Sequence, residues 1–275
     1  MSLLEETKLI LKKHGLRPKR YSGQNFLVDS TVLQRQVSYA GIKRDETILE
    51  VGPGIGNLTE FLLEGSDRVF AVEKDPGMVD ILRQRFAGRG GIEIISGDVL
   101  KIMLPAFDKV ISNIPYSISS PLTFMLLKKP FKKAVITYQK EFAERMVALP
   151  GSRNYSRLSV TTGYYAFARV LEILPPRVFY PRPAVSSAVV ELVPRRPRFR
   201  VDEKLFFTVV RALFAHRGKT VKNALVDSRF ISSEKKEGRR IIENFLDEAT
   251  LEKRVFQLEP KEIAGITKAF MGVVD

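Results

Sequence analysis

Between residues 47 and 148 the chain alternates strand-like and helix-like stretches, and its first strand runs into the turn Gly52-Pro53-Gly54-Ile55-Gly56. Strand-like runs stand at 47–51, 69–73, 92–96, 109–112 and 134–138. Helix-like runs lie near 57–64, 76–87, 120–128 and 140–148. This alternation predicts a parallel sheet covered on both faces by helices. In an open α/β sheet the carboxyl ends of the strands form the binding crevice, so the residues just past each strand are the ones to read for chemistry.

The flanks follow other patterns. Ser2 and Glu5 fit a capping box and Gly15 fits a helix stop, predicting a helix over 3–14. A basic, turn-prone stretch, Arg17-Pro18-Lys19-Arg20-Tyr21-Ser22-Gly23, leads into Gln24-Asn25-Phe26-Leu27. A second helix is predicted from about 30 to 40, ending at Gly41. Past residue 150, the runs 170–174 and 186–193 read as strands with no helix between them, which suits an antiparallel edge pair. Pro194-Arg195-Arg196-Pro197-Arg198 marks a boundary, and helical runs follow near 202–215, 219–228, 235–247 and 260–271. The expected organisation is a sheet domain over 1–194 and a small all-helical domain over 195–275.

The glycine turn identifies the ligand by its spacing. Glycines let the backbone approach a ligand closely, and the N–H groups of the helix that follows face it. A dinucleotide fingerprint would need glycine at 57, where Asn57 stands, and no Gly-Lys-Ser/Thr follows for a P-loop. A tight G-x-G-x-G turn suits a cofactor without a pyrophosphate. Glu73 closes the second strand, 21 positions after Gly52, and can accept both hydroxyls of a ribose. Asp98 follows the third strand and can accept from an adenine amino group. A single carboxylate at a strand end is more often a cap or a surface group. Gly52 with Gly54, Glu73, Asp98 and Asn113 in order along successive strands together describe S-adenosylmethionine.

At the fourth strand end stands Asn113-Ile114-Pro115-Tyr116. The amide oxygen of Asn113 and the Ile114 carbonyl can accept from an exocyclic amine. Pro115 fixes the turn and holds Ile114 extended. Tyr116 can stack on a base, a contact of roughly 1–3 kcal/mol. The N6 lone pair of adenine is delocalised into its ring, so two acceptors on the amine favour a pyramidal nitrogen and aim the lone pair. The base must be extruded or unpaired to reach such a pocket.

Charge points to a polyanionic partner, because 45 Lys+Arg against 31 Asp+Glu give a net charge of +14. The basic segments 17–20, 195–200, 217–222 and 235–240 are candidate phosphate contacts. There are no cysteines, which excludes disulfides and thiol catalysis, and the two histidines are too far apart for a metal centre. No metal is expected. No apolar run reaches membrane-span length and the N-terminus lacks a signal-peptide core, so the expectation is a cytoplasmic protein without a membrane partner.

These residues resemble the KsgA-type small-subunit ribosomal RNA adenine N6,N6-dimethyltransferases, in their archaeal and eukaryotic branch. The likeness extends over nearly the whole chain. It rests on Gly23-Gln24-Asn25-Phe26-Leu27, Glu50-Val51-Gly52-Pro53-Gly54-Ile55-Gly56, Val72-Glu73, Gly97-Asp98, Asn113-Ile114-Pro115-Tyr116 and Gln139-Lys140-Glu141. It continues in Phe179-Tyr180-Pro181-Arg182-Pro183-Ala184-Val185-Ser186-Ser187 and Lys219-Thr220-Val221-Lys222-Asn223-Ala224-Leu225. The segments at 24–27 and 179–187 are the most specific; Ala184 and Ser186 depart from the bacterial pattern.

The resemblance implies a Rossmann-like class I methyltransferase sheet, mostly parallel with antiparallel edge strands, joined to a small all-helical C-terminal RNA-binding domain. It implies that Gln24, Asn25 and Leu27 fold over the methionine end of the cofactor, and that Gly52, Glu73, Asp98 and Asn113 contact the cofactor or its surroundings. Tyr116 and Phe179 would sandwich the target adenine. The implied function is dimethylation of two adjacent adenosines near the 3′ end of small-subunit rRNA during ribosome biogenesis. The expected partners are that rRNA and a pre-ribosomal small subunit, engaged by a monomer. Two other readings share the pattern: a large-subunit rRNA adenine methyltransferase of the antibiotic-resistance kind, and a non-catalytic nucleic-acid-binding or assembly factor. Ile114 stands where DNA adenine methyltransferases carry proline, which argues against a DNA substrate.

Overall fold

The computed structural model describes residues 1–18, 24–196 and 199–273. Ser2 caps the first helix, α1 (Leu3–Lys13), through the predicted reciprocal box: its hydroxyl accepts from the Glu5 N–H and the Glu5 carboxylate from the Ser2 N–H. A two-residue strand, β1 (Phe26–Leu27), precedes α2 (Ser30–Ala40), which Asp29 caps and Gly41 ends at φ 55°. Then come β2 (Thr47–Val51), α3 (Asn57–Gly65), β3 (Arg68–Glu73), α4 (Pro76–Arg85), β4 (Ile92–Ser96) and β5 (Lys109–Asn113). A short 3-10 turn, Tyr116–Ile118, leads into α5 (Ser119–Leu126), β6 (Lys133–Gln139) and α6 (Lys140–Val147).

The strands form a seven-stranded sheet in the order β4-β3-β2-β5-β6, continued by β9 (Ser187–Pro194) and β7 (Ala166–Leu174). The pairs β3/β4, β2/β3, β2/β5 and β5/β6 are parallel, and β6/β9 is antiparallel. The chain builds outward from β2 on one side and then returns to add β5 on the other. The direction of winding therefore reverses between β2 and β5, where α/β sheets open their ligand crevice. One face is buried by Leu33, Leu58 and Leu62 of α2 and α3 against Ile48, Val69, Ile111, Val135 and Val189.

A second, two-stranded sheet pairs β1 with β8 (Phe179–Tyr180) antiparallel, placing Leu27 opposite Phe179. It ties together the two most distinctive sequence segments. Two-residue strands are too short for any periodicity to announce.

The chain divides into two compact units. One holds 1–143 and 167–194, and the other holds 144–166 and 195–275. One boundary falls after Pro194, but a single cut does not describe the chain, because 144–166 belongs with the helical unit. That segment contains α7 (Arg157–Tyr165), which the sequence reading left without an element. Its Val160 and Tyr164 are buried in the same core as Phe206, Val209 and Leu213. The rest of this unit is α8 (Glu203–Ala215), α9 (Val221–Asp227), α10 (Lys235–Phe245), α11 (Glu248–Glu252) and α12 (Pro260–Ala269).

Candidate active site

The carboxyl ends of β2, β3 and β5, with the approaches to β1 and the loop after β4, enclose a crevice of about 390 Å³. The turn after β2 makes it possible. Gly52 and Gly54 hold φ of 68° and 61°, a left-handed backbone that disfavours side chains. Space forbids a side chain as well. A Cβ at Gly52 would lie 3.1 Å from Pro115 Cδ, and one at Gly54 would lie 2.7 Å from the Phe26 ring. The glycine turn is thus where the tetrapeptide and the 24–27 segment converge.

Glu73 is buried at the end of β3. Its Oε2 accepts from the Gly54 N–H at 3.0 Å, and its Oε1 accepts from the N–H groups of Lys74 and Asp75, each at 2.8 Å. Burial pushes its carboxyl above the ordinary range, against the pull of these three donors. A carboxylate has about four lone-pair positions. The backbone takes three of them, so a ribose would share this group with the turn.

Asp98 is pulled below its ordinary range, first by Lys74, whose Nζ lies 3.0 Å from Oδ2, and then by the Leu100 N–H on Oδ1. Gln24, Asn25 and Leu27 all line the crevice. Gln24 Nε2 donates to Asp75 Oδ2 at 3.3 Å.

The tetrapeptide is divided between the crevice and the core. Asn113 and Pro115 line the crevice. Asn113 Oδ1 accepts from Thr137 Oγ1 at 2.5 Å. The Ile114 side chain is buried and Tyr116 is half-buried; neither lines the crevice. The Tyr116 hydroxyl lies 2.5 Å from Ser187 Oγ, hydrogen-bonded to the first residue of β9. The structure does not bring Phe179 to the crevice wall. That ring is 3% exposed and packs with Leu27, Leu174 and Val178 in the core.

Several lining residues escaped the sequence reading. Asn57 stands where a dinucleotide fingerprint would have glycine, and that substitution was the available signal. Its buried Nδ2 donates to Thr7 Oγ1 at 3.1 Å and to the Leu27 carbonyl at 3.0 Å, stapling α1 and β1 to the start of α3. Glu50, also in the lining, is 1% exposed and accepts from Thr59 Oγ1 at 2.6 Å. Burial, aided by the nearby Glu73 charge, pushes its carboxyl up to about 8. Lys74, Asp75, Ser117 and Ile118 line the crevice as well. Among the described residues no cluster suits a metal ion, and no helix is long and apolar enough to cross a membrane.

The basic segments fare unequally. In 217–222, Arg217 donates to the Tyr155 and Arg153 carbonyls, Lys219 pairs with Asp227, and Lys222 pairs with Glu252. On α10, Lys236, Arg239 and Arg240 are exposed, with no hydrogen-bond or ion-pair partner among the described residues. Lys19, Arg20, Pro197 and Arg198 lie outside the described residues.

A mostly parallel sheet reversing between β2 and β5, with a glycine turn and carboxylates along the carboxyl ends of its strands, is the Rossmann-like architecture of the class I methyltransferases. A family model described as "Ribosomal RNA adenine dimethylase" matches residues 15–253, and the chain belongs to that family. Its similarity to named relatives is close to full length. "Probable ribosomal RNA small subunit methyltransferase A" of Methanosphaera stadtmanae is 43% identical over 272 residues, covering 98% of this chain and 99% of that protein. The protein of the same name from Thermococcus kodakarensis is 44% identical over 258 residues, 94% and 91% of the two chains. Among solved structures, a dimethyladenosine transferase from Plasmodium falciparum superposes with a TM-score of 0.76 at 29% identity, covering 89% of this chain and 96% of that one. The 23S rRNA methyltransferase ErmE gives 0.65 at 27% identity, covering 89% and 98%.

Proposed function

We propose that this chain transfers two methyl groups to N6 of each of two adjacent adenosines near the 3′ end of small-subunit rRNA, during ribosome biogenesis. The observation that carries the reading is the position of Asn113. It ends β5 beside the reversal point, lines the crevice, and is followed by Pro115, which packs against the glycine turn. An amine acceptor is thus held against the cofactor turn by the backbone itself.

S-adenosylmethionine, when bound, supplies a methyl group on a sulfonium, already activated for transfer. The lining fits it: glycines that let the backbone come close at the turn, a buried carboxylate at Glu73, and Asp98 at the next strand end. Gln24, Asn25 and Leu27 would close over the methionine end. The chain's own work is positioning and electrostatics. Asn113 Oδ1 and the Ile114 carbonyl accept from the amine, Pro115 fixes their spacing, and Tyr116 offers its ring to the base. No strong base is needed, since the amine proton becomes acidic as the methyl arrives. Phe179 can serve as the opposing ring only after the β1/β8 packing opens, because its ring is now in the core.

The substrate is a loop whose bases are already unpaired, presented by a pre-ribosomal small subunit to a cytoplasmic monomer. The exposed cations of α10 are the strongest candidates for phosphate contacts, while those at 217–222 are engaged within the protein. The likeness to ErmE supports a second reading, adenine methylation of large-subunit rRNA. The higher identity to small-subunit relatives over 94–98% of the chain favours the first.

Primer extension on rRNA from cells lacking the protein tests the choice. Loss of a stop at paired adenosines near the small-subunit 3′ end, restored by the wild-type gene and not by Asn113→Ala, is the expected result. An unchanged small-subunit stop, or loss of one in the large-subunit rRNA, contradicts it.

A further inference from the structure

The Asn113 amide is held from one side. Asn113 ends β5, and Thr137 stands beside it on β6, in register across the parallel pair. Side chains alternate along a strand, so both continue the row of Ile111 and Val135, which packs against Leu33 and Leu62. Thr137 is 1% exposed. The hydroxyl donates to Asn113 Oδ1 at 2.5 Å and has no other hydrogen-bond partner among the described residues.

Resting on the reading of Asn113 as the amine acceptor, we infer that Thr137 is a positioning residue for methyl transfer, whose buried hydroxyl anchors the Asn113 amide beside the crevice through Oδ1. Donation fills one lone pair of Oδ1 and leaves the second for an amine N–H. Without that bond the amide has no hydrogen-bond anchor among the described residues and is free to turn its NH2 to where the oxygen stood. An NH2 there would donate to the N6 lone pair, the electrons that must form the new bond. The second methylation is the more exposed to this fault, because a monomethylated amine keeps a single N–H to find the oxygen. A purely structural threonine in a buried strand would do no more than valine of the same shape.

The experiment compares Thr137→Val and Thr137→Ser in the full chain with small-subunit rRNA as substrate. It measures kcat, KM for RNA, the dissociation constant of S-adenosylmethionine by calorimetry, and the thermal midpoint. The expected result is a kcat about tenfold lower in the valine variant, the scale of one lost hydrogen bond, with KM and cofactor affinity unchanged and kcat restored by serine. Wild-type kcat in the valine variant, or a loss that serine does not restore, overturns the inference. If the valine variant does not fold, Thr137→Ala against Thr137→Ser gives the same comparison. Asn113→Ala, run alongside, separates the two levels. An inactive Asn113→Ala beside a fully active Thr137→Val refutes Thr137 alone. A fully active Asn113→Ala refutes the reading of the site.

Discussion

Two buried glutamates stand toward opposite ends of β2 and are treated in opposite ways. Glu46 precedes β2 at the edge away from the crevice. It is 4% exposed and its carboxylate meets two cations: Lys109 Nζ at 2.6 Å, itself buried, and Lys132 Nζ at 3.3 Å. Burial works to raise its carboxyl, and the Lys109, Lys43 N–H and Lys132 hydrogen bonds overcome it, holding the group below the ordinary range. Glu50, four residues on, is buried as deeply at the crevice end and meets a threonine hydroxyl and another carboxylate. Glu73 beside it is held by three backbone N–H groups. The far edge of the sheet is electrostatically closed. At the crevice edge Glu50 and Glu73 rest on neutral donors, which a ligand's hydroxyls can share or replace without breaking an ion pair. Of Glu50, Glu73 and Asp98, only Asp98 meets a cation among the described residues, the exposed Lys74.

The largest effect expected from breaking this contrast is at the closed end. Lys109→Met leaves Glu46 buried with the exposed Lys132 as its one cation beside the Lys43 N–H and should cost about 3–5 kcal/mol in chemical denaturation. A loss under about 1 kcal/mol, the scale of a surface pair, would contradict the account of that edge. Next is Asn113→Ala, which should lower kcat on the order of a hundredfold or more while RNA binding persists in filter binding. Parallel loss of binding and turnover would count against its assigned role.

Glu50→Gln probes the open end through pH. A free carboxyl of this kind titrates at 4.5, whereas folded Glu50 holds its proton to about 8. The stability it contributes is complete below about 4.5 and is lost as pH rises toward about 8, because only the unfolded chain ionises in that window. Wild type should therefore lose about 1.4 kcal/mol per pH unit relative to the glutamine variant across the window. A pH-independent difference would show that Glu50 is ionised when folded. The smallest effect is that of Tyr116→Phe, which removes the bond to Ser187 and should cost about 1 kcal/mol of stability by denaturation.

What the sequence could and could not convey follows from range. The strands at 47–51 and 92–96 were legible to the residue because Gly52 and Gly97 punctuate them. Crevice residues such as Gly54 and Gln24 were legible because their positions relative to strand ends, or their family likeness, are local facts. Helix α7 was not, because Val160, Thr161, Thr162 and Gly163 are weak helix formers and its packing against Phe206 is distant in sequence. Thr137 and Ser187 were invisible as partners of Asn113 and Tyr116, since only strand register brings their hydroxyls to those side chains. Phe179 was read as a wall of the site from likeness alone, and the pairing of β1 with β8 sets its ring in the core.

The central claim is that this crevice methylates adenine N6 in small-subunit rRNA. Its most direct measurement incubates the protein with S-adenosylmethionine labelled in the methyl group and ribosomal subunits from cells lacking the protein, then resolves the RNA into nucleosides by mass. Label in N6,N6-dimethyladenosine from the small subunit, absent with Asn113→Ala, is the predicted result. Label confined to large-subunit rRNA, or none from the wild-type protein, would contradict it.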